Sequence, residues 1–248
     1  MKRNIRLTIE YDGSRYQGWQ RLGGDSNANT IQGKLESVLS KMTGEDVNIN
    51  GSGRTDAGVH AYGQVANFHT DCMMSVSEIK NYLTKYLPSD IGIVEVPEAS
   101  ERFHSRLNAK EKTYLYRIAI PGVSNVFERK YLWYFPETLD IKKMEEAASL
   151  LIGTHDFKGF SSIKKTKKST VRSIYNIEIK KTKKEIQISY TGNGFLHNMV
   201  RILTGTLVEV GCGKIKPEDI TKALESTKRS DAGITAPPQG LFLVSVEY

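Results

Sequence analysis

The sequence predicts an α+β protein of two ferredoxin-like subdomains with mainly antiparallel sheets. Two observations carry this. Up to about residue 100, period-2 and period-3.6 apolar patterns alternate in the order strand, helix, strand, strand, helix, strand. The second half then runs through a similar order without repeating the sequence. At 248 residues the chain can bury a sizeable core.

Ile5–Glu10 alternates as a strand and leads into Tyr11-Asp12-Gly13-Ser14-Arg15-Tyr16-Gln17-Gly18-Trp19-Gln20-Arg21, a turn with Trp19 packed beneath it. Leu22–Asn29 is a polar, Gly- and Asn-rich loop. A helix follows with Thr30 as N-cap, Ile31, Leu35, Val38, Leu39 and Met42 inward, and Gly44 as its stop. Val47–Asn50 alternates as a half-buried strand, and Gln64–Phe68 is the next. The second helix starts at Ser75 or Ser77, presents Ile79, Tyr82, Leu83, Tyr86 and Leu87, and stops at Pro88; Ile91–Val96 is a strand.

In the second half, Thr113–Ile120 is a strand and Ile141–Ile152 a helix. Val171–Ile179 and Glu185–Tyr190 form a hairpin around a lysine-rich tip. A helix runs from about Phe195 to Val210, a shorter one covers Pro217–Leu224, and Gly240–Glu247 closes as a strand. The expected division is 1–107 and 108–248, joined near Asn108–Lys112, with sheets that could merge into one central sheet.

Net charge is +7 and unevenly spread: residues 1–107 carry 12 Lys and Arg against 13 Asp and Glu, residues 108–248 carry 23 against 15. An anionic partner such as nucleic acid would therefore meet the second half. Cys72 and Cys212 lack Cys-x-x-Cys spacing, which argues against a disulfide scaffold or zinc ribbon and fits a reducing cytoplasm. The opening residues lead straight into a strand pattern, so no signal peptide is expected, and no apolar run approaches the ~18 residues of a membrane span. His60, His69, His104, His155 and His197 form no recognised ligand spacing, so no metal is expected.

The chemistry concentrates in Gly51-Ser52-Gly53-Arg54-Thr55-Asp56-Ala57-Gly58-Val59-His60-Ala61. Three glycines let the backbone turn tightly and let a ligand approach. A Rossmann fingerprint fails because residue 56 is Asp rather than the third glycine. A P-loop fails because no Lys-Ser/Thr pair follows. What remains is a carboxylate displayed beside an arginine on a turn between strands, suited to a nucleophile or base. Elsewhere, Arg201 lies on a helix apolar on most faces and needs a carboxylate partner, Glu209 or a more distant acid. Tyr114 and Tyr116 share one strand face. Lys164, Lys165, Lys167 and Lys168, with Arg172, could track a phosphate backbone. Lys180, Lys181, Lys183 and Lys184 read as a solvated hairpin tip.

Gly53–Ala61 resembles the signature of the tRNA pseudouridine synthase A family, and the segments Tyr11–Arg21, Lys112–Tyr116, Met199–Arg201 and Gly240–Val244 agree with it. The resemblance implies the pseudouridine synthase fold and a cofactor-free, metal-free isomerase. Its substrate would be uridines 38, 39 and 40 of the tRNA anticodon arm, which would lie across a homodimer. It implies Asp56 as nucleophile, Tyr114 as the ring that stacks on the target base and is proposed to accept the C5 proton, and Arg201 as ion-pair partner of Asp56. Leu241 would lie against the base, with Arg54 and Thr55 on the substrate and the Tyr11–Arg21 segment beside it. The alternatives are the same chemistry on another RNA, such as ribosomal RNA, or a non-catalytic RNA-binding module. An intact Asp56, Tyr114 and Arg201 set speaks against the last.

Overall fold

The computed structural model describes residues 2–21, 29–164 and 166–248. The expected 22–29 loop lies outside these residues except for Asn29, as does Lys165. The chain folds as two compact units, Met1–Lys110 with Phe242–Tyr248, and Glu111–Leu241.

The first unit contains β1 (Arg3–Tyr11), a 3-10 turn (Gly13–Arg15), α1 (Ile31–Thr43), β2 (Asn50–Gly51), β3 (His60–Thr70), α2 (Val76–Tyr86), β4 (Ile91–Glu95) and β5 (Glu98–Ala99). β1 lies between β4 and β3, antiparallel to both, and β2 pairs antiparallel with β3 through Asn50 and Asn67. This is the ferredoxin-like strand order. The helices end where local chemistry ends them. The Thr30 side chain accepts from the Gly33 N–H, and Gly44 closes α1 at φ 73°. Ser75 and Glu78 form a reciprocal capping box at the start of α2. Ile5, Leu7 and Ile9 of β1 are fully buried, as are Leu35, Leu39, Phe68 and Leu83, and each such side chain contributes about 1.5–3 kcal/mol.

Two expectations for this unit need correction. Val47 and Ile49 are buried as their alternation predicts, yet only Asn50–Gly51 pairs as a strand. The reason is that the Val47 N–H donates to Ser40 Oγ (3.0 Å) and the Ile49 N–H to Glu36 Oε1 (3.0 Å), not to a neighbouring strand. Glu36, on α1, is 4 % exposed and also accepts from Gln32 (2.8 Å). Tyr86, expected inward, is exposed at the end of α2, its ring beside Tyr82 at 4.4 Å.

The second unit contains β6 (Glu111–Ala119), β7 (Trp133–Tyr134), α3 (Ile141–Leu151), β8 (Gly153–Asp156), β9 (Val171–Lys181), β10 (Glu185–Gly192), α4 (Met199–Gly211) and α5 (Asp219–Ser226). Its strands run β6-β10-β9-β8, all antiparallel, with β7 parallel to β6. Lys180 and Lys181 belong to β9, so the turn shrinks to residues 182–184, with Thr182 Oγ1 accepting the N–H groups of Lys184 and Glu185. α4 begins at Met199, four residues later than its apolar pattern predicts, because Asn198 is held left-handed at φ 60°. The Asn198 amide donates to Ser162 Oγ (2.8 Å), which fixes that turn. Otherwise α4 is buried along nearly its whole length, with Arg201 and Glu209 among its few part-exposed residues.

The last strand, β11 (Leu241–Glu247), groups from Phe242 onward with the first unit rather than with the second half where the sequence places it. It pairs parallel with β3 at Phe242–His60 and Leu243–Ala61. The Glu247 carbonyl accepts the Lys110 N–H (2.9 Å), and the Tyr248 hydroxyl donates to the Ser105 carbonyl (2.7 Å).

Candidate active site

The signature loop occupies residues 52–59 between β2 and β3, and its own backbone explains its shape. Ser52 N–H donates to Val65 O (2.7 Å), Val59 N–H donates to Asp56 O (3.1 Å), and Gly58 takes φ 77°. The Gln64 side chain bridges from β3, its amide donating to Gly53 O (3.0 Å) while its oxygen accepts from Ser52 Oγ (2.6 Å).

The segment after β1 then locks the loop from outside. Trp19 N–H donates to Thr55 O (3.0 Å), and the buried Trp19 ring lies against Gly51, where a Cβ would come within 2.5 Å of the indole nitrogen. Gly18, at φ 99°, passes so close that a Cβ would sit 2.7 Å from the Thr55 carbonyl oxygen; at Gly13 it would lie 2.0 Å from that of Val59. Tyr11 and Thr55 share a buried hydroxyl–hydroxyl bond (2.8 Å), and burial pushes the Tyr11 pKa upward. His60 Nδ1 accepts the Gly13 N–H (3.0 Å) and lies 3.1 Å from Asp12 Oδ1, while its ring stacks on Phe242 at 4.7 Å.

The result is a half-exposed Asp56 on a backbone held from both sides, with Arg54 exposed beside it. A carboxylate so mounted can attack a bound electrophile without reorganising its own loop. Thr55, expected against substrate, is buried with its hydroxyl engaged by Tyr11. Tyr11 and Gln64 were not singled out from the sequence, because their partners lie 44 and 11 residues away. A tyrosine continuing the buried row Ile5, Leu7 and Ile9 was the available signal.

In the second unit, Tyr114 on β6 is 7 % exposed and meets Phe195 edge to face at 5.2 Å. Tyr116, two residues on, is fully buried and donates to Pro237 O (2.6 Å). Burial raises its pKa, and the Arg201 cation pulls it partly back. Arg201 is half-buried, donating from Nε to Ala236 O (2.7 Å) and from Nη1 to Asn198 Oδ1 (2.8 Å). Glu209, one of the partners open to it, instead accepts the Ile234 N–H (3.1 Å). Leu241 is buried after the 3-10 turn Pro238–Gly240.

The lysine segment borders an open recess of about 500 Å³ lined by Lys158, Lys164, Lys168, Thr166 and Ser169, with the Asp156 carboxylate among them. Lys164, Lys167 and Lys168 are exposed. Arg172 is half-buried, its pKa lowered by burial, and donates to the carbonyls of Ser169 (3.0 Å) and Val171 (2.6 Å). Among the described residues no three His, Cys, Asp or Glu side chains gather as a metal site, and no helix is long and apolar enough to cross a membrane.

A family model described as tRNA pseudouridine synthase matches residues 7–108 and 147–248. The chain is 49% identical over 245 residues to a tRNA pseudouridine synthase A 2 of Bacillus anthracis, covering 99% of each. It is 50% identical over 246 residues to a tRNA pseudouridine synthase A 1 of Clostridium tetani, covering 99% of this chain and 100% of that one. Among solved structures, a Cbf5-Nop10-Gar1 complex aligns at 10% identity and TM-score 0.37 over 96% of this chain. This chain spans only 57% of the matched chain, and that likeness carries no further weight.

Proposed function

The chain belongs to the tRNA pseudouridine synthase A family and is a tRNA pseudouridine synthase, an isomerase; from that premise we propose that it acts on uridines 38, 39 and 40 of the anticodon arm. The observation that carries the reading is the signature loop, with Asp56 half-exposed on a backbone fixed by the 11–19 segment.

In this reading the target nucleotide leaves its stack, at a cost of a few kcal/mol offset by stacking on Tyr114 worth about 1–3 kcal/mol. The Asp56 carboxylate attacks the flipped nucleotide at C1′ or at C6. The N1–C1′ bond breaks, the uracil turns, C5 bonds to C1′, and the bond formed to Asp56 breaks, which returns the free carboxylate. The proton lost from C5, accepted by Tyr114, is balanced by one gained at N1. Substrate and product contain the same atoms at the same oxidation level, so the isomerisation needs no redox partner. Leu241 supports the base, Arg54 contacts the nucleotide, Thr55 holds the loop through its bond to Tyr11, and Arg201 pairs with Asp56 to favour its ionised form. The protein works as a cytoplasmic homodimer, with Lys164, Lys165, Lys167, Lys168 and Arg172 along the RNA backbone.

The test uses an unmodified tRNA transcript with pseudouridine mapped by position. Asp56→Asn keeps size and polarity but removes the charge, so product formation should fall to background while RNA affinity stays within several-fold. Turnover near the wild-type rate would assign the chemistry to another group. Arg201→Met and the double variant complete a cycle. The ion pair predicts a stability coupling of about 0.5–3 kcal/mol, and simple additivity would separate Arg201 from Asp56.

A further inference from the structure

The arginines of the first unit sort into two sets. Arg3, Arg6, Arg15 and Arg21 each form an ion pair, with Glu98, Glu95, Asp90 and Glu36 respectively. Among the described residues, Arg54, Arg102 and Arg106 have no side-chain ion pair or hydrogen bond, and all three are exposed. Arg54 lies on the signature loop. The other two lie on the 100–109 segment, in a unit where 13 Lys and Arg face 14 Asp and Glu, so their isolation does not follow from an excess of basic residues.

That segment is built rigidly from beneath. Buried Asn4 donates to the carbonyls of Ser100 and Phe103 (both 2.9 Å), and buried Asn67 donates to Asn4 Oδ1 (2.9 Å) while accepting the Ser105 N–H (2.9 Å). The Ser105 hydroxyl donates to the carbonyl of Asn50, four residues before Arg54. Within the segment, His104 N–H donates to Asn108 Oδ1 (2.7 Å) and Arg106 N–H donates to His104 Nδ1 (3.1 Å). Two buried asparagines with their polar atoms engaged are a specific device, since an unmatched one would cost about 1–3 kcal/mol. Here they support a loop whose outer face carries two solvated, unpaired guanidiniums, the side chain best suited to phosphate.

We propose that residues 100–109 form a second RNA-backbone contact, on the first unit, with Arg102 and Arg106 as its phosphate ligands. The inference rests on the protein being an RNA-binding enzyme and extends its footprint beyond the basic second half. A rigid loop holds the guanidiniums in place before the RNA arrives, which limits the ordering entropy lost on binding.

The experiment measures binding of an unmodified tRNA transcript from low to moderate salt for wild type, for Arg102→Gln with Arg106→Gln, and for Lys34→Gln with Lys41→Gln. The last pair removes the same charge from the exposed face of α1. Losing two phosphate contacts should reduce the slope of log affinity against log salt by about 1.4–1.8. The α1 pair should leave the slope unchanged. Because both guanidiniums are solvated, the arginine variant should keep the wild-type melting curve. An unchanged slope with folded protein overturns the proposal, as does an equal effect of the α1 pair. A changed sedimentation mass with an unchanged slope would make the segment a protein–protein contact and likewise overturn it. Pseudouridine formation by the wild type is scored separately, so failure of the catalytic reading is distinguishable from failure of this one.

Discussion

Tyr11 shows how much of the site depends on a residue that performs no chemistry. Its hydroxyl is buried against Thr55 Oγ1, one residue from Asp56. Tyr11→Phe leaves the Thr55 hydroxyl buried without its partner, a loss of about 1–3 kcal/mol, whereas Tyr11→Phe combined with Thr55→Val removes both polar atoms and should regain part of it. Urea denaturation of the two variants decides this; a double variant no more stable than the single would show that the bond contributes little. Gly13 and Gly18 complete the picture, because any side chain there would strike the backbone of the signature loop. The loop motif was legible from the sequence because its glycines and Asp56 are consecutive. Its supports were not, since Tyr11 and Gln64 act through partners that are not their neighbours in the chain.

At the scale of elements, the turn after β1 is fastened to the end of the α2–β4 connection by one carboxylate. Asp90 accepts from the Tyr16 hydroxyl (2.6 Å) and from Arg15 Nε (3.0 Å), and its backbone carbonyl accepts the Asp12 N–H (3.0 Å). Burial alone would raise the Asp90 pKa, but the bonds from Tyr16 and Arg15 outweigh it and hold the carboxyl below its ordinary value. Tyr16→Phe should cost about 1.5–3 kcal/mol near neutral pH, the range for a hydrogen bond to a charged group. A depressed folded-state pKa stabilises above the unfolded value of about 3.9, and the gain is lost as pH falls through the folded one. The difference between wild type and Tyr16→Phe should therefore narrow below about pH 4; a difference constant from pH 7 to 3 would locate the effect in packing. Helix boundaries were legible where a cap set them, as at Thr30 and Gly44, and at Ser75 as one of the two starts the sequence offered. They failed at Phe195–Asn198, where an apolar pattern continues through a left-handed residue held by Ser162, 36 positions away.

Across the whole molecule, charge is the property on which sequence and structure differ most usefully. The first unit carries one net negative charge and the second unit eight positive. Net charge alone would assign all RNA affinity to the second unit. At physiological salt, however, exposed charges are screened beyond about 8 Å, so affinity depends on which cations touch phosphate rather than on totals. Ion pairing decides which cations are available, and pairing between distant residues is invisible along the chain. Lys164 and Lys168 line the recess beside Asp156, and Lys167 is exposed between them in the chain. Changing all three to Ser should lower the salt slope by about 2.1–2.7 if each contacts one phosphate. Combined with Arg102→Gln and Arg106→Gln, the reductions should add, because the two sets belong to different units and share no hydrogen-bond or ion-pair partner among the described residues. Single-turnover chemistry at saturating enzyme should survive both sets, since neither includes Asp56, Tyr114 or Arg201. An unchanged slope for the lysine variant would return that segment to a solvated turn. A combined loss smaller than the sum would mean that both sets compete for the same phosphates.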